Sequence, residues 1–582
     1  MKTVTSTTPH TARRRGIWTR LTWGRRADGF SLLAMALSLV TAALILYPLA
    51  YVTYSVFIGG DASIPELVSN ILGSGIGAVV WNTVWVIGCS ILIATLIGSF
   101  FAWLVERTDI GLTGLSRFLP MMPLFVPPIA GAIGWVLLAS PRSGFLNRWA
   151  QDGLGLAGID LGGPLLNIYS GPGLVFVFVI YLIPNIFMTV SSHLRNLDPA
   201  LEEAARMSGA SVMKTLYLVT LPSVRPAATA GMLLALIMGL ALFSLPVVIG
   251  GPAQIEVLAV RIVNLMINSY PPQTAVALLL AVLVIVVISV ASWLQVRVLR
   301  RGNFATIAGR GIGAARVSLG LYRGPARVLF IAYLVASSLL PFLALLIVSL
   351  QPFWTPVINV TNFSLQHYES VFIQSRYSKA AIFNSIWLGV VGATVGILLS
   401  AVIAFFTNRQ SGILVSLIDS VTKLPGAVSN LVIGIAFVVA FSGSPFYLYG
   451  TTLILLLAYI VLYIPQASLS ANAALHQVGK QLTEASLMAG ASQGMTFLRV
   501  TLPLMLPGLI AGWTLLFVLM SGDITASAML AGNRNPVVGF VVLDLWAGGS
   551  FPQLAALGTV MTILSSSVVL LTLRLSHQRH RG

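Results

Sequence analysis

Side chains that can hold a proton, a metal or a phosphate are scarce in this chain: 16 Asp and Glu, 6 His and 1 Cys among 582 residues. None of the five lysines (Lys2, Lys214, Lys379, Lys423, Lys480) lies in a Gly-x-x-x-x-Gly-Lys-Ser/Thr loop. The chain therefore has no P-loop to cradle ATP phosphates. There is no His-Glu-x-x-His and no Cys-x-x-Cys, and His10, His577 and His580 lie near the ends. A metal site within the chain is not expected, and Cys89, set in an apolar run, reads as a small buried hydrophobe. What does recur is a carboxylate among small residues. Glu202-Glu203-Ala204-Ala205, with Gly209-Ala210 after it, returns as Thr483-Glu484-Ala485-Ser486, with Gly490-Ala491 after it, 281 positions later. Leu221-Pro222 matches Leu502-Pro503 at the same offset. A polar motif repeated in register in both halves, each copy set between long apolar runs, points to a duplicated contact surface.

The elements that position these polar islands are apolar. The chain is 57% hydrophobic and 8% charged, with mean hydropathy +0.92, against roughly 25% charged residues in soluble domains. Too few charges exist to cover a surface in water, and a polytopic membrane protein follows. A spanning helix needs about 20 apolar residues. Twelve segments qualify: 30–57, 79–104, 116–140, 171–192, 224–249 and 274–296, then 328–351, 382–406, 416–442, 450–470, 504–530 and 553–573. The run after Arg13-Arg14-Arg15, Arg20 and Arg25-Arg26 resembles the start of a signal peptide. It continues to Phe57 without a small-residue cleavage pattern and reads as a retained span.

The net charge of +17 could suggest nucleic acid, but the basic residues lie between apolar runs. With the amino terminus inside, 27 of 33 Lys and Arg fall on the cytoplasmic side, as the positive-inside rule requires. Both termini and both polar islands are then cytoplasmic. The expected plan is a basic tail at 1–29, one six-helix unit at 30–296, a basic linker at 297–327, a second unit at 328–573 and a tail at 574–582.

Further matches tie the two units together. Tyr181-Leu182-Ile183-Pro184 pairs with Leu462-Tyr463-Ile464-Pro465, Asn82-Thr83 with Asn384-Ser385, and Pro226 with Pro507. An even number of spans per unit gives both the same orientation, a parallel duplication about an axis along the membrane normal.

In the first island, Asp198-Pro199 suits a helix start. Glu202 and Glu203 lie near the positive end of that helix, and Gly209 can leave it in a left-handed turn. A second short helix is expected until Leu221-Pro222 begins the climb into the membrane. Ala204, Ala205, Gly209 and Ala210 leave the backbone approachable, with Met207, Val212 and Leu216 as the apolar side. The second island keeps Glu484, Ala485, Gly490 and Ala491. It has Ser486 as its third small residue, and Gln477 and Gly479 stand where the Asp-Pro pair would be.

Glu-Ala-Ala, three residues, Gly, nine residues, an aliphatic residue, one residue and Leu-Pro resembles the EAA loop of binding-protein-dependent ABC importer permeases. Glu203-Ala204-Ala205, Gly209, Val219 and Leu221-Pro222 fit throughout; Glu484-Ala485, Gly490, Val500 and Leu502-Pro503 fit with Ser486 as the departure. The resemblance implies an all-α polytopic membrane protein, two fused six-helix permease domains of the type I importer fold in the cell (inner) membrane. It implies that each loop is a coupling helix seated on one of two cytoplasmic ATPase subunits, which bind the ATP and Mg that this chain does not. It also implies a periplasmic or lipid-anchored solute-binding protein docking on external loops such as 141–170 and 352–380. Leu197-Asp198-Pro199-Ala200-Leu201-Glu202-Glu203 and Leu245-Pro246…Gly250-Gly251-Pro252-Ala253 resemble the iron(III) branch, with thiamine, 2-aminoethylphosphonate and polyamine permeases as related alternatives. An ion-coupled secondary transporter, also built 6+6, is the rival class.

Ionisable groups at membrane depth mark function. Asp523, after Gly522, belongs either to a cavity opened by a helix break or to an external helix end in water. Asp419 and Glu106 read as interfacial caps or ion-pair partners. Pro120, Pro123, Pro127 and Pro128 make the third span irregular, and Pro425 with Ser429-Asn430 does so in the ninth. Irregular backbone survives at membrane depth only when buried or lining a cavity, so Pro127, Pro128, Ser429, Asn430 and Asp523 are the pathway candidates.

Overall fold

The computed structural model describes residues 29–57, 69, 75–111, 119–160, 162–197, 200–270, 273–301, 317–410, 412–428 and 430–579. The expected basic tail up to residue 28, Asp198, Pro199, Ser429 and linker residues 302–316 lie outside them. Among the described residues the chain is helical, and its one β feature is an isolated parallel bridge between Thr108 and Val317.

The first repeat comprises α1 Gly29–Phe57, α2 Ile76–Arg107, α3 Pro128–Ala139, α4 Phe145–Leu156, α5 Gly171–Asn196, α6 Ala200–Met207, α7 Val212–Ala241, α8 Leu258–Ile267 and α9 Thr274–Arg301. The second comprises α10 Gly320–Leu350, α11 Arg376–Arg409, α12 Ile413–Lys423, α13 Asn430–Phe441, α14 Thr452–Gln477, α15 Lys480–Met488, α16 Gln493–Ser521, α17 Thr525–Leu530, α18 Val538–Ala547 and α19 Phe551–Arg579.

Among the described residues ten helices are long and apolar enough to cross a membrane: α1, α2, α5, α7, α9, α10, α11, α14, α16 and α19. The other two expected spans are broken. The third is a 3-10 turn, Leu119–Phe125, followed by the 12-residue α3. The ninth is α12 and α13, bent by 105°. A 12-residue helix reaches only about 18 Å, short of the roughly 30 Å hydrocarbon core. Proline explains the breaks: Pro123, Pro127, Pro128 and Pro425 donate no backbone hydrogen bond and cannot continue a ladder. Almost every residue of α3 is buried, and most of α13, so the irregular backbone is shielded from lipid.

Two boundaries differ from expectation for one physical reason. The fifth and eleventh spans begin at Val212 and Gln493, well before Leu221-Pro222 and Leu502-Pro503, and end at Ala241 and Ser521. Each proline sits inside a continuous helix, just after a π turn, Leu216–Thr220 or Phe497–Thr501. Widening the turn accommodates the proline ring and its missing donor without ending the helix. The linker also ends earlier than expected, because α10 starts at Gly320.

The first helix of each repeat crosses over. α1 packs against α11, α12 and α13 of the second repeat, and α10 packs against α3 of the first. Phe30 lies 5.8 Å from the Phe405 ring and 5.3 Å from Phe497. Reciprocally, Phe101 of α2 lies 5.0 Å from Phe330 and 5.1 Å from Tyr333 of α10. Aromatic pairs at these separations stabilise beyond the area they bury, so each unit's packing includes the other's first helix.

The shared Asn-Thr/Ser pair has a structural task. Asn82 Nδ2 donates to Glu256 O at 3.2 Å, and Thr83 Oγ1 accepts from Leu258 N at 2.9 Å. Asn384 Nδ2 donates to Pro536 O at 2.9 Å, and Ser385 Oγ accepts from Val538 N at 2.9 Å. Each pair satisfies backbone groups at the start of a short apolar helix, α8 or α18, that would otherwise be orphaned. Cys89 departs from its expected burial. It is exposed on the outer face of α2, where an apolar environment in a membrane makes the thiol no costlier than in a core.

Candidate functional site

The two polar islands fold alike. α6 ends in a left-handed turn at Gly209, φ +84°, and α15 in one at Gly490, φ +86°. Ala210 N donates to Ala205 O at 3.1 Å and Gly209 N to Arg206 O at 3.0 Å; Ala491 N donates to Ser486 O at 3.2 Å and Gly490 N to Leu487 O at 3.0 Å. This is the Schellman pattern, and the positive φ is why glycine stands at both places. Ser211 and Ser492 then cap the next helices, accepting from Lys214 N and Met495 N. α15 begins at Lys480 without an Asp-Pro pair.

The docking candidates are arranged as a surface. Glu203, Ala204, Gly209, Glu484, Ala485 and Gly490 are exposed, while Ala205, Ala210 and Ala491 are half-buried. Met207 and Met488 are 90% and 89% exposed, and Leu201 and Leu482 54% and 53%. Apolar side chains projecting in register from two helices form a patch that water alone does not favour. Val212 and Leu216, expected on that side, instead turn toward Trp103 and the chain's own body; only Met207 of the three points outward.

Glu202 does something sequence reasoning missed. Its position near the helix start accounts for its sign, but its contacts are tertiary. Arg107, at the end of α2 and 5% exposed, pairs with Glu202 at 3.0 Å. Arg107 Nη2 also donates to Leu197 O at 3.2 Å, and Thr220 Oγ1 donates to Glu202 Oε1 at 2.8 Å. The second repeat lacks the carboxylate, since Thr483 stands in Glu202's register. Arg409, the match for Arg107, lies over the Phe405 ring at 4.4 Å, and Ser486 Oγ hydrogen-bonds Thr496 Oγ1 at 3.0 Å. The recurrence of Arg107 and Arg409 at span ends was the available signal.

Asp523 is buried, not in water at a helix end. The helix breaks at Gly522, and the carboxylate accepts from Tyr463 Oη at 2.7 Å, Ala526 N at 2.9 Å and Ser527 N at 3.3 Å. Gly539 of α18 approaches Asp523 O and Ser527 Oγ so closely that a side chain would not fit. Pro127 and Ile129 of the first repeat share one small apolar cavity with Gly522, Ile524 and Gly539. The structure therefore brings Pro127 next to the Asp523 break, while Pro128 opens α3 and Asn430, half-buried, opens α13. Glu106 accepts from Ser191 at 2.6 Å and pairs with Arg195 at 3.7 Å; Asp419 pairs with Lys423 at 2.6 Å. At the end of the bundle that carries the polar islands, a cavity of about 890 Å³ is lined by Asn408, Asp419, Lys423, Asn472 and His476. Among the described residues no group of three or more His, Cys, Asp or Glu is placed to hold a metal ion.

A duplicated bundle of membrane-crossing helices with a matching polar loop in each half is the architecture of a multi-pass membrane transport permease. The family model described as "Binding-protein-dependent transport system inner membrane component" matches residues 90–302 and again 392–581. The chain belongs to that family. It is 24% identical over 533 residues to the ferric transport system permease protein FbpB of Actinobacillus pleuropneumoniae, covering 90% of this chain and 75% of that one. It is 24% identical over 499 residues to the Fe(3+)-transport system permease protein FbpB 2 of Haemophilus influenzae, covering 85% and 88%. The spermidine/putrescine transport system permease protein PotC of the same species is 26% identical over 215 residues, 36% of this chain and 81% of that one.

Proposed function

We propose that this chain forms the translocation pathway of an ATP-driven importer for ferric iron handed over by an external binding protein. The observation that carries the reading is the double family match, each copy containing one exposed helix–glycine–helix loop. The cargo assignment is supported by the ferric permeases, which align along both repeats, whereas the polyamine permease aligns over the length of one. Both termini and both loops face the cytoplasm, as the distribution of Lys and Arg favours.

Two copies of a separate ATPase subunit bind ATP and Mg, and each seats one loop: Glu203, Ala204, Ala205, Gly209 and Ala210 on one, Glu484, Ala485, Gly490 and Ala491 on the other. Closure of the ATPase pair draws α6 and α15 together. Because α7 and α16 continue each loop into the membrane without a stop, the displacement reaches the bundle and turns the pathway outward; hydrolysis and release reset it. The broken spans around Pro127, Pro128, Ser429 and Asn430 form the gate. Asp523, a pathway candidate, also holds the break after α16, its oxygens accepting from Tyr463 Oη, Ala526 N and Ser527 N.

The decisive variant is Glu203→Lys with Glu484→Lys. Uptake and co-purification of the ATPase subunit are both expected to disappear; a double variant that keeps both at wild-type level overturns the coupling assignment. Cargo is tested by titrating the purified binding protein with ferric iron and with spermidine. Binding of spermidine alone would replace the iron assignment and leave the transporter class standing.

A further inference from the structure

The segment that begins the second repeat does more than connect it to the first. Val317 N donates to Arg107 O at 2.8 Å, and Asp109 N donates to Val317 O at 3.1 Å. Leu319 N donates to Asp109 Oδ1 at 2.9 Å, Arg327 Nε donates to Ile110 O at 2.7 Å, and Arg323 lies 3.9 Å from Asp109. The backbone of Arg107 is thus held by the second repeat, while its side chain holds Glu202 of α6 at 3.0 Å. Backbone bridge, ion pair and coupling helix form one connected block.

We propose that residues 317–327 are a strap that fixes the first coupling helix through Arg107, so that movement of α6 is delivered to α10 of the second repeat as well as to α7 of the first. Arg107 is then a positioning residue for transport coupling. It rests on the reading of α6 as a coupling helix and adds to it a path by which one ATPase subunit moves both repeats. The second loop is held by other means. Ser31 of α1 donates to Gln493 at 2.9 Å, and Phe30 packs on Phe405 and Phe497. The crossing helix again supports the opposite loop there, through an aromatic cluster and a side-chain hydrogen bond. A buried charge pair tolerates little displacement because separation leaves a desolvated charge, whereas apolar rings can slide. The strapped loop is the stiffer of the two.

The test uses the full transporter, with ATPase subunits and binding protein, in proteoliposomes. Val317→Pro removes the N–H that meets Arg107 O; Arg107→Gln removes the charge facing Glu202. Three quantities are read: ATPase subunit retained on purification, stimulation of ATP hydrolysis by the binding protein, and amide exchange of residues 200–210 against 481–491. Both variants are expected to retain the ATPase subunit, to lose about fivefold or more of the stimulation, as coupling free energies of this size allow, and to exchange faster in 200–210 alone. Restoration of stimulation by Arg107→Lys would match a positioning charge. The strap is overturned if both variants keep wild-type stimulation and exchange, or if 481–491 loosens equally. Loss of the ATPase subunit from either variant also overturns it, because that places Arg107 in docking itself. Failure of the coupling assignment reads differently, as retention of the subunit by the Glu203→Lys, Glu484→Lys variant.

Discussion

The loops at 200–215 and 480–496 follow the same path, with the same Schellman turn, the same serine cap and the same outward leucine and methionine. What fastens them differs. The first is fixed by a buried Arg107–Glu202 pair that is itself bridged to the opposite repeat; the second has threonine in Glu202's place, an arginine stacked on Phe405 and a hydroxyl pair at its centre. The membrane interior repeats the pattern in reverse. The break after α16 is held by Asp523 and Tyr463, and the matching place after α7 is Leu242. The face that must fit an equivalent partner is kept constant, while the supports behind it differ between the repeats. Fusion into one chain permits this, since each copy meets its own surroundings only.

The sharpest way to break this picture is at Asp523. Asp523→Ala removes the acceptor of three buried hydrogen bonds and is expected to cost about 3 kcal/mol, whereas Leu242→Ala costs less because Leu242 is only half-buried; thermal unfolding in detergent compares them. Next come the single charge reversals. Glu203→Lys is expected to weaken ATPase association by about tenfold, as loss of a charge at an interface does, and Glu484→Lys by less; equal losses in a binding titration would contradict unequal shares of the two loops in docking. Gly209→Val and Gly490→Val should instead behave alike. Each forces a β-branched residue to positive φ at about 1–2 kcal/mol, read as a matched fall in subunit retention. Smallest and most symmetric are Thr83→Val and Ser385→Ala, each removing one hydrogen bond to a short helix at about 1 kcal/mol. A difference larger than that between their melting shifts would show that α8 and α18 are held unequally.

Much of this architecture is legible in the residues, and the failures are local. Proline interrupts the third and ninth spans as its chemistry predicts, but Pro222 and Pro503 lie inside continuous helices. A π turn absorbs those two, and no spacing rule shows whether a helix will widen or stop. Glu202 was legible as an acid near a helix start, but its partner lies on another helix, 95 positions earlier in the chain. The gap is one of distance along the chain: local propensity and period report on neighbours within a turn or two.

By itself the sequence determined the class. Scarcity of charge forces burial in lipid, the 281-residue recurrence forces two similar halves, and small residues beside a glycine that can turn left-handed define the repeated loop. Tertiary structure alone decided that α1 and α10 exchange places, that Asp523 is buried and that Arg107 joins a loop to the opposite repeat. Each of these depends on which apolar faces meet when the helices assemble. Many helices here are apolar nearly all round, so pattern along the chain does not choose their neighbours; close packing does.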